Sequence, residues 1–191
     1  MNVKTVLLIG RPGCGKGTQA ALLSEKTGWK TLSSGDKLRE IRNTDSPIGK
    51  RVKEVYDAGK YLPDWFADYL FEKDVFELTH TQGIVLEGFG RTITQAEHIT
   101  DICGWLGRPF QVIHIDVPED IAVARMLERA KTEHRPDSDT IEKIKLRLQK
   151  YDDNTRASVE FYEKNGIMST VDGSLDVMKV HNEILTLIQN S

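Results

Sequence analysis

Cysteine is scarce in this chain: Cys14 and Cys103 are the only two among 191 residues. They form no C-x-x-C pair and stand at no Cys/His ligand spacing, which argues against a structural zinc site and a disulfide scaffold and fits a reducing compartment. Long hydrophobic runs are missing too. No segment approaches the ~18–20 apolar residues of a membrane-spanning helix. The opening MNVKTVLLIG lacks the apolar core of a secretory signal, because its run Val6–Ile9 leads directly into a motif. There is no large excess of either charge. The net value of −3 gives no global reason to expect nucleic acid or an anionic membrane as partner. Any anion-binding surface must therefore be local. Repeats and low-complexity tracts are absent, and the five histidines show no ligand spacing. What remains is one globular domain, 39% hydrophobic and 29% charged, with a sizeable core and a cytoplasmic setting.

Short apolar runs alternate with longer amphipathic stretches. TVLLIG, WKTLS, GIVLEG, FQVIHIDV and GIMSTV are continuous rather than alternating, as expected of buried parallel strands. Between them, Gln19–Lys26 predicts a helix stopped at Gly28. Ser46 and Pro47 open another, with Ile48, Val52 and Val55 inward and Gly59 at its end. TQAE, Thr94 to Glu97, has capping-box spacing for a helix to about Leu106. Ser138 or Asp139 is expected to cap a long helix reaching Glu163, and Ser174 the last one, with Val177, Val180, Ile184 and Leu187 inward. Trp29, Trp65 and Trp105 are expected to pack, and His114 to be a satisfied core residue. The alternation predicts an α/β domain with a parallel sheet whose ligands gather at the strands' carboxyl ends.

The first strand runs into GRPGCGKGTQ, where Gly10, Gly13, Gly15 and Gly17 surround Lys16. A loop that turns its N–H groups onto a phosphate needs backbone angles that side chains resist. The helix that follows adds its own N–H groups and positive dipole end. Lys16 brings charge to the β- and γ-phosphates, and Thr18 a hydroxyl near Mg²⁺. A nucleoside triphosphate is the expected ligand. The guanine-reading N-K-x-D of GTPases is not found.

Further on, LSSGDKLRE and LEGFGRTITQAE each follow a strand and each carry an arginine, Arg39 or Arg91. The planar guanidinium fork suits phosphate oxygens, so a second phosphate facing the first is expected. With these segments on the page the chain resembles the adenylate kinases and the wider nucleoside monophosphate kinases. GRPGCGKGTQA resembles that family's G-x-P-G-x-G-K-G-T-Q loop. LSSGDKLR resembles S-T-G-D-L-L-R, GKYLPD resembles G-x-L-V-P-D, and LEGFGRTITQAE resembles D-G-F-P-R-T-x-x-Q-A. RMLERA and RPDSDTIEKIKLRLQKY are similar to the arginine-rich closing region and its helix.

The resemblance implies a P-loop NTPase fold: a five-stranded parallel sheet flanked by helices, a monophosphate-binding insert at about 33–63, and a short lid at about 131–138. It implies a single catalytic domain over 1–191, a monomer, and transfer of the γ-phosphoryl group of MgATP to AMP. By the same resemblance, Gly13, Cys14, Gly15, Lys16, Gly17, Thr18, Arg125, Arg129 and Gly173 would bind ATP. Ser34, Arg39, Leu62, Gly88, Arg91, Gln95, Arg135 and Arg147 would bind AMP. Lys16, Arg91, Arg125, Arg135 and Arg147 would surround the migrating group, and Thr18 with Glu87, through water, would attend the magnesium.

Gln95 can serve both the donor and acceptor edges of adenine, and adenylate kinases carry glutamine where uridylate/cytidylate kinases tend to carry asparagine. Ser34 stands for the family's threonine. Glu87 replaces its aspartate, with one more methylene, and Gly90 its proline, a change expected to loosen Arg91. A UMP/CMP kinase, or a nucleotide-binding protein with weak catalysis, is the alternative at this stage.

Overall fold

The computed structural model describes residues 3–58, 60–132 and 138–190. Its centre is a sheet of strands β1 (Thr5–Ile9), β2 (Lys30–Ser33), β3 (Ile84–Glu87), β4 (Phe110–Asp116) and β5 (Met168–Asp172). The order is β2-β3-β1-β4-β5, with every pairing parallel. The central strand shows why continuous apolar runs are needed. Along VLLI successive side chains alternate sides. Leu7 and Ile9 enter one buried cluster, with Phe71, Leu86, Ile99 and Tyr162. Val6 and Leu8 enter another, with Leu23, Ile113, Ile184 and Ile188. Covered on both faces, this central strand leaves no position for water.

The helices supply those covers. They are α1 (Lys16–Thr27), α2 (Ser34–Arg42), α3 (Pro47–Asp57), α4 (Asp64–Val75), α5 (Ile93–Trp105), α6 (Glu119–Thr132), α7 (Ile141–Lys150), α8 (Arg156–Lys164) and α9 (Val177–Asn190). Helices α4, α5 and α8 bury apolar residues in the first cluster, and α1 and α9 in the second. A third, small cluster joins α6 to α7 through Met126, Ile144 and Leu148.

Several local expectations shift by a residue or two. Helix α1 starts at Lys16, earlier than Gln19, and stops where expected: Gly28 is left-handed (φ 71°) and its N–H reaches Ser24 O at 2.8 Å. Ser46 caps α3, accepting from Gly49 N at 3.0 Å. Its inward face, however, is Gly49, Val52 and Tyr56, while Ile48 is exposed. Ala58 is the C-cap, and Gly59 lies outside the described residues.

The cap of α5 is Thr92, which accepts from Gln95 N at 3.2 Å, rather than Thr94. TITQAE holds two overlapping T-x-x-Q/E pairs, and the pattern cannot choose between them. Thr140, not Ser138 or Asp139, caps α7. Asp176 rather than Ser174 opens α9: its carboxylate accepts from Met178 N at 2.9 Å and its carbonyl from Val180 N at 3.1 Å. The Ser174 hydroxyl is turned instead to Asp172. Val177 is exposed.

The long helix expected from 139 to 163 is interrupted by a π turn at Tyr151–Thr155, which joins α7 to α8. One extra residue in that turn shifts the inward stripe. Leu148 therefore faces α6, whereas Tyr162 faces the sheet.

Trp29 is buried as expected, but Trp65 and Trp105 are 66% and 80% exposed. Helix α4 turns Phe66, Leu70, Phe71 and Val75 inward, which leaves Trp65 on its outer side. Trp105 ends α5, beyond the last buried positions Ile102 and Cys103. No helix among the described residues is long and apolar enough to cross a membrane.

Candidate active site

One cleft of about 700 Å³ opens at the carboxyl ends of β1, β2 and β3. The loop after β1 forms one side of it. Gly15, immediately before α1, has φ 101°, a conformation that only glycine adopts without strain. Having no side chain, it offers no cap to the first-turn N–H groups of α1, which is the condition for an anion to take them. Lys16 folds back over its own loop, donating to Gly10 O at 2.7 Å and Arg11 O at 2.9 Å, with Cys14 Sγ at 3.4 Å. Gly13, Cys14, Gly15, Gly17 and Thr18 all line the cleft.

The loops after β2 and β3 form the opposite side. Ser33 ends β2 and caps α2. One turn into that helix, Arg39 reaches Tyr56 Oη at 3.0 Å and pairs with Asp36. Ser34 Oγ donates to Gly88 O at 2.8 Å, tying α2 to the end of β3. Helix α2 is held from behind by Asp74, a buried carboxylate of α4 that accepts from Lys30 and Lys37. Burial alone would raise its pKa, but the two ammonium groups hold it below the usual carboxylate range.

Arg91 is gripped at three points. Its Nε donates to Gly88 O at 2.7 Å, its backbone N–H to Gln95 Oε1 at 3.0 Å, and its guanidinium lies 5.4 Å from the Tyr61 ring centre. Gly90 has φ 63°, and a Cβ there would strike Tyr162 Oη and stand 2.9 Å from Leu7 Cδ2. Glycine here admits a buried tyrosine under the arginine's loop. Gly90→Ala is expected to destabilise the fold by about 2–4 kcal/mol, the left-handed angle and overpacking each adding to the cost. A urea titration measures it, and a loss below ~1 kcal/mol would refute it.

Gln95 is 5% exposed and its amide is fixed from both ends. Nε2 donates to Asp64 Oδ1 at 2.8 Å, and Oε1 accepts from Arg91 N. A carboxylate only accepts and a backbone N–H only donates, so these partners decide which amide atom faces which way. A primary amide has two N–H groups and two lone pairs. After these bonds, one of each remains for a base. Leu62 lines the cleft nearby in sequence.

From the third side come Arg125, Arg129 and Arg147, all lining the cleft. Arg125 donates to Gly173 O at 2.9 Å, and Arg147 to Ser138 Oγ at 3.1 Å. Arg135 lies outside the described residues. Glu87 accepts from Ser33 Oγ at 2.8 Å. His114 shares a 3.1 Å hydrogen bond with Tyr151 Oη beneath the loop. Burial, with lesser effects from Lys16 and Arg11, draws its pKa down and favours the neutral ring, the satisfied core histidine expected.

Sequence reasoning named the arginines and the glutamine but missed their supports Tyr56, Tyr61 and Asp64. The last two stood in GKYLPD, where an aromatic ring at the foot of an apolar–proline segment was the available signal.

The sequence model of the family described as "Adenylate kinase" matches residues 8–167. The chain belongs to the adenylate kinase family. It is 35% identical to the adenylate kinase of Stenotrophomonas maltophilia (strain R551-3) over 185 residues, 96% of this chain and 98% of that protein. It is 37% identical to the adenylate kinase of Thermus thermophilus over 171 residues, 89% of each. Identity to the adenylate kinase of Leptospira biflexa (Patoc 1, strain Ames) is 34% over 187 residues, covering 97% of this chain and all of that protein. Membership accounts for the parallel five-stranded sheet.

Proposed function

We propose that this chain is a phosphotransferase that moves the γ-phosphoryl group of MgATP to AMP, giving two ADP. The observation that carries the reading is the joint lining of one cleft: the glycine loop with Lys16 on one side, Arg39, Arg91 and Gln95 on another. Two phosphate-binding sets and a base-reading amide share one enclosed space, which is what in-line transfer between two nucleotides requires. The acceptor phosphate is itself the nucleophile, so the site needs cations and alignment more than a general base.

In this mechanism the loop amides and Lys16 hold the donor's β- and γ-phosphates. Arg39 and Arg91 grip the acceptor phosphate. Arg125, Arg129 and Arg147, with Arg135 from the lid, neutralise charge on the migrating group. The segment 33–63 would act as the acceptor-binding insert. Residues 131–138 would act as a short lid, excluding water that could otherwise take the phosphoryl group.

The donor set fits Mg²⁺ carried in by the nucleotide. Among the described residues no trio of His, Cys, Asp or Glu could hold a metal alone. Thr18 and Glu87 offer hard oxygen at the cleft, and Mg²⁺ usually keeps several waters and binds through few protein ligands. Bound there, it would neutralise phosphate charge. The two buried thiols suit a reducing cytoplasm, and a monomer is sufficient for the cleft as described.

The test is a coupled assay with MgATP and AMP, dAMP, UMP, CMP or GMP in turn. AMP is expected to give the highest kcat/KM, by tenfold or more over the pyrimidine monophosphates, since unmatched polar groups in a base pocket discriminate strongly. Faster turnover of UMP or CMP would overturn the AMP assignment. Diphosphate formation with none of the acceptors would overturn the activity itself.

A further inference from the structure

Tyr61 stands where the family motif G-x-L-V-P-D, as matched by GKYLPD, has leucine. Its ring meets two cations. The Arg91 guanidinium lies 5.4 Å from the ring centre and the Lys150 ammonium 5.6 Å. The three residues come from separate parts of the fold: the stretch before α4, the loop after β3, and the last residue of α7. Tyr61 and Arg91 both line the cleft, as does Arg147 on the same helix as Lys150.

We propose that Tyr61 is a positioning residue for the acceptor phosphate: its ring steadies the Arg91 guanidinium and couples it to Lys150 on the helix that carries Arg147. This deepens the phosphotransfer reading and rests on it. Lys150 is pulled below the usual lysine range by burial, then by Lys60 and Arg147, so this part of the site gathers cations that repel one another. An aromatic face carries negative charge density and accepts cations directly; leucine cannot. Arg91 already spends its Nε on Gly88 O. The ring adds a second constraint on the same guanidinium, and a preorganised guanidinium loses less freedom when phosphate arrives. The contact also gives α7 a link to the acceptor arginine that does not pass through the sheet.

The hydroxyl plays no part in this account, which makes Tyr61→Phe the informative control. AMP and ATP dissociation constants would be measured by calorimetry for the wild type, Y61F, Y61L, R91M and the double variant Y61L/R91M. The Y61L change is expected to weaken AMP about five- to tenfold with ATP changed by less than about twofold, the size of a partly buried cation–ring contact. Y61F is expected to restore AMP affinity to within about twofold of wild type. In the R91M background, Y61L is expected to cost nothing further, because the ring would act through the missing guanidinium.

Equal losses for AMP and ATP, failure of Y61F to restore affinity, or the same Y61L penalty with and without Arg91 would each overturn the proposal. A wild type that binds ATP and no AMP would instead remove the phosphotransfer reading, and this inference with it. AMP turnover by wild type with an unaltered Y61L removes the inference alone.

Discussion

Replacing Arg39 and Arg91 together with methionine is expected to lower kcat/KM for AMP by about a thousandfold or more, while ATP affinity changes by only a few-fold. Both guanidiniums line the cleft, and both are already held in place: Arg39 by Tyr56 and Asp36, Arg91 by Gly88 and Tyr61. Removing one preorganised donor aimed at developing charge, as in an oxyanion hole, costs about 10²–10³ in rate, roughly 2.7–4 kcal/mol. Two that serve the same phosphate will not add fully, so the double loss falls short of the product. The fold should survive, because neither side chain belongs to the apolar clusters around the sheet. Far-ultraviolet circular dichroism checks that, and steady-state kinetics the rest. Full turnover in the double variant would end the two-phosphate account.

Lys16→Met is expected to cut kcat by about 10²–10³-fold with AMP affinity within about twofold of wild type. Its ammonium spans the carbonyls of Gly10 and Arg11, so methionine loses both the charge owed to the phosphates and the loop's internal tie. Lys16→Arg is expected to restore little. A planar fork does not reproduce a compact point charge inside a loop closed this tightly. Single-turnover measurements separate the chemical step from ATP binding. A kcat loss below about tenfold in Lys16→Met would refute the lysine's role at the transferred group.

The sheet was legible because its inner strands are buried on both faces, and continuous apolar runs have few other uses at that length. The glycine loop was legible for a related reason: its spacing lies between a strand and a helix, where Gly15 takes a backbone angle that side chains resist. Caps were harder. Thr92 and Thr94 both have a glutamine or glutamate three residues on, and Ser138, Asp139 and Thr140 are all competent. Only the path of the chain selects one.

The π turn at Tyr151–Thr155 had no signature, because a one-residue offset inside an amphipathic helix resembles ordinary drift of the apolar stripe. The exposed Trp65 and Trp105 show the opposite failure. Aromatic rings favour burial on average, but which side of a helix meets the sheet overrides that preference. At the site, arginines could be named from motifs, whereas their supports depend on contacts between residues far apart in sequence. Asp64 and Gln95 are separated by 31 positions, and Tyr61 and Lys150 by more.

The small cluster of Met126, Ile144 and Leu148 has a consequence for how the molecule breathes. Three side chains, each contributing about 1.5–3 kcal/mol when buried, fasten α6 to α7. The sheet's own clusters hold many more. Helix α7, which brings Arg147 to the cleft, thus rests on fewer buried apolar side chains than the strands of the sheet do. Amides in α7 should therefore exchange with solvent well before those of β1 or β4.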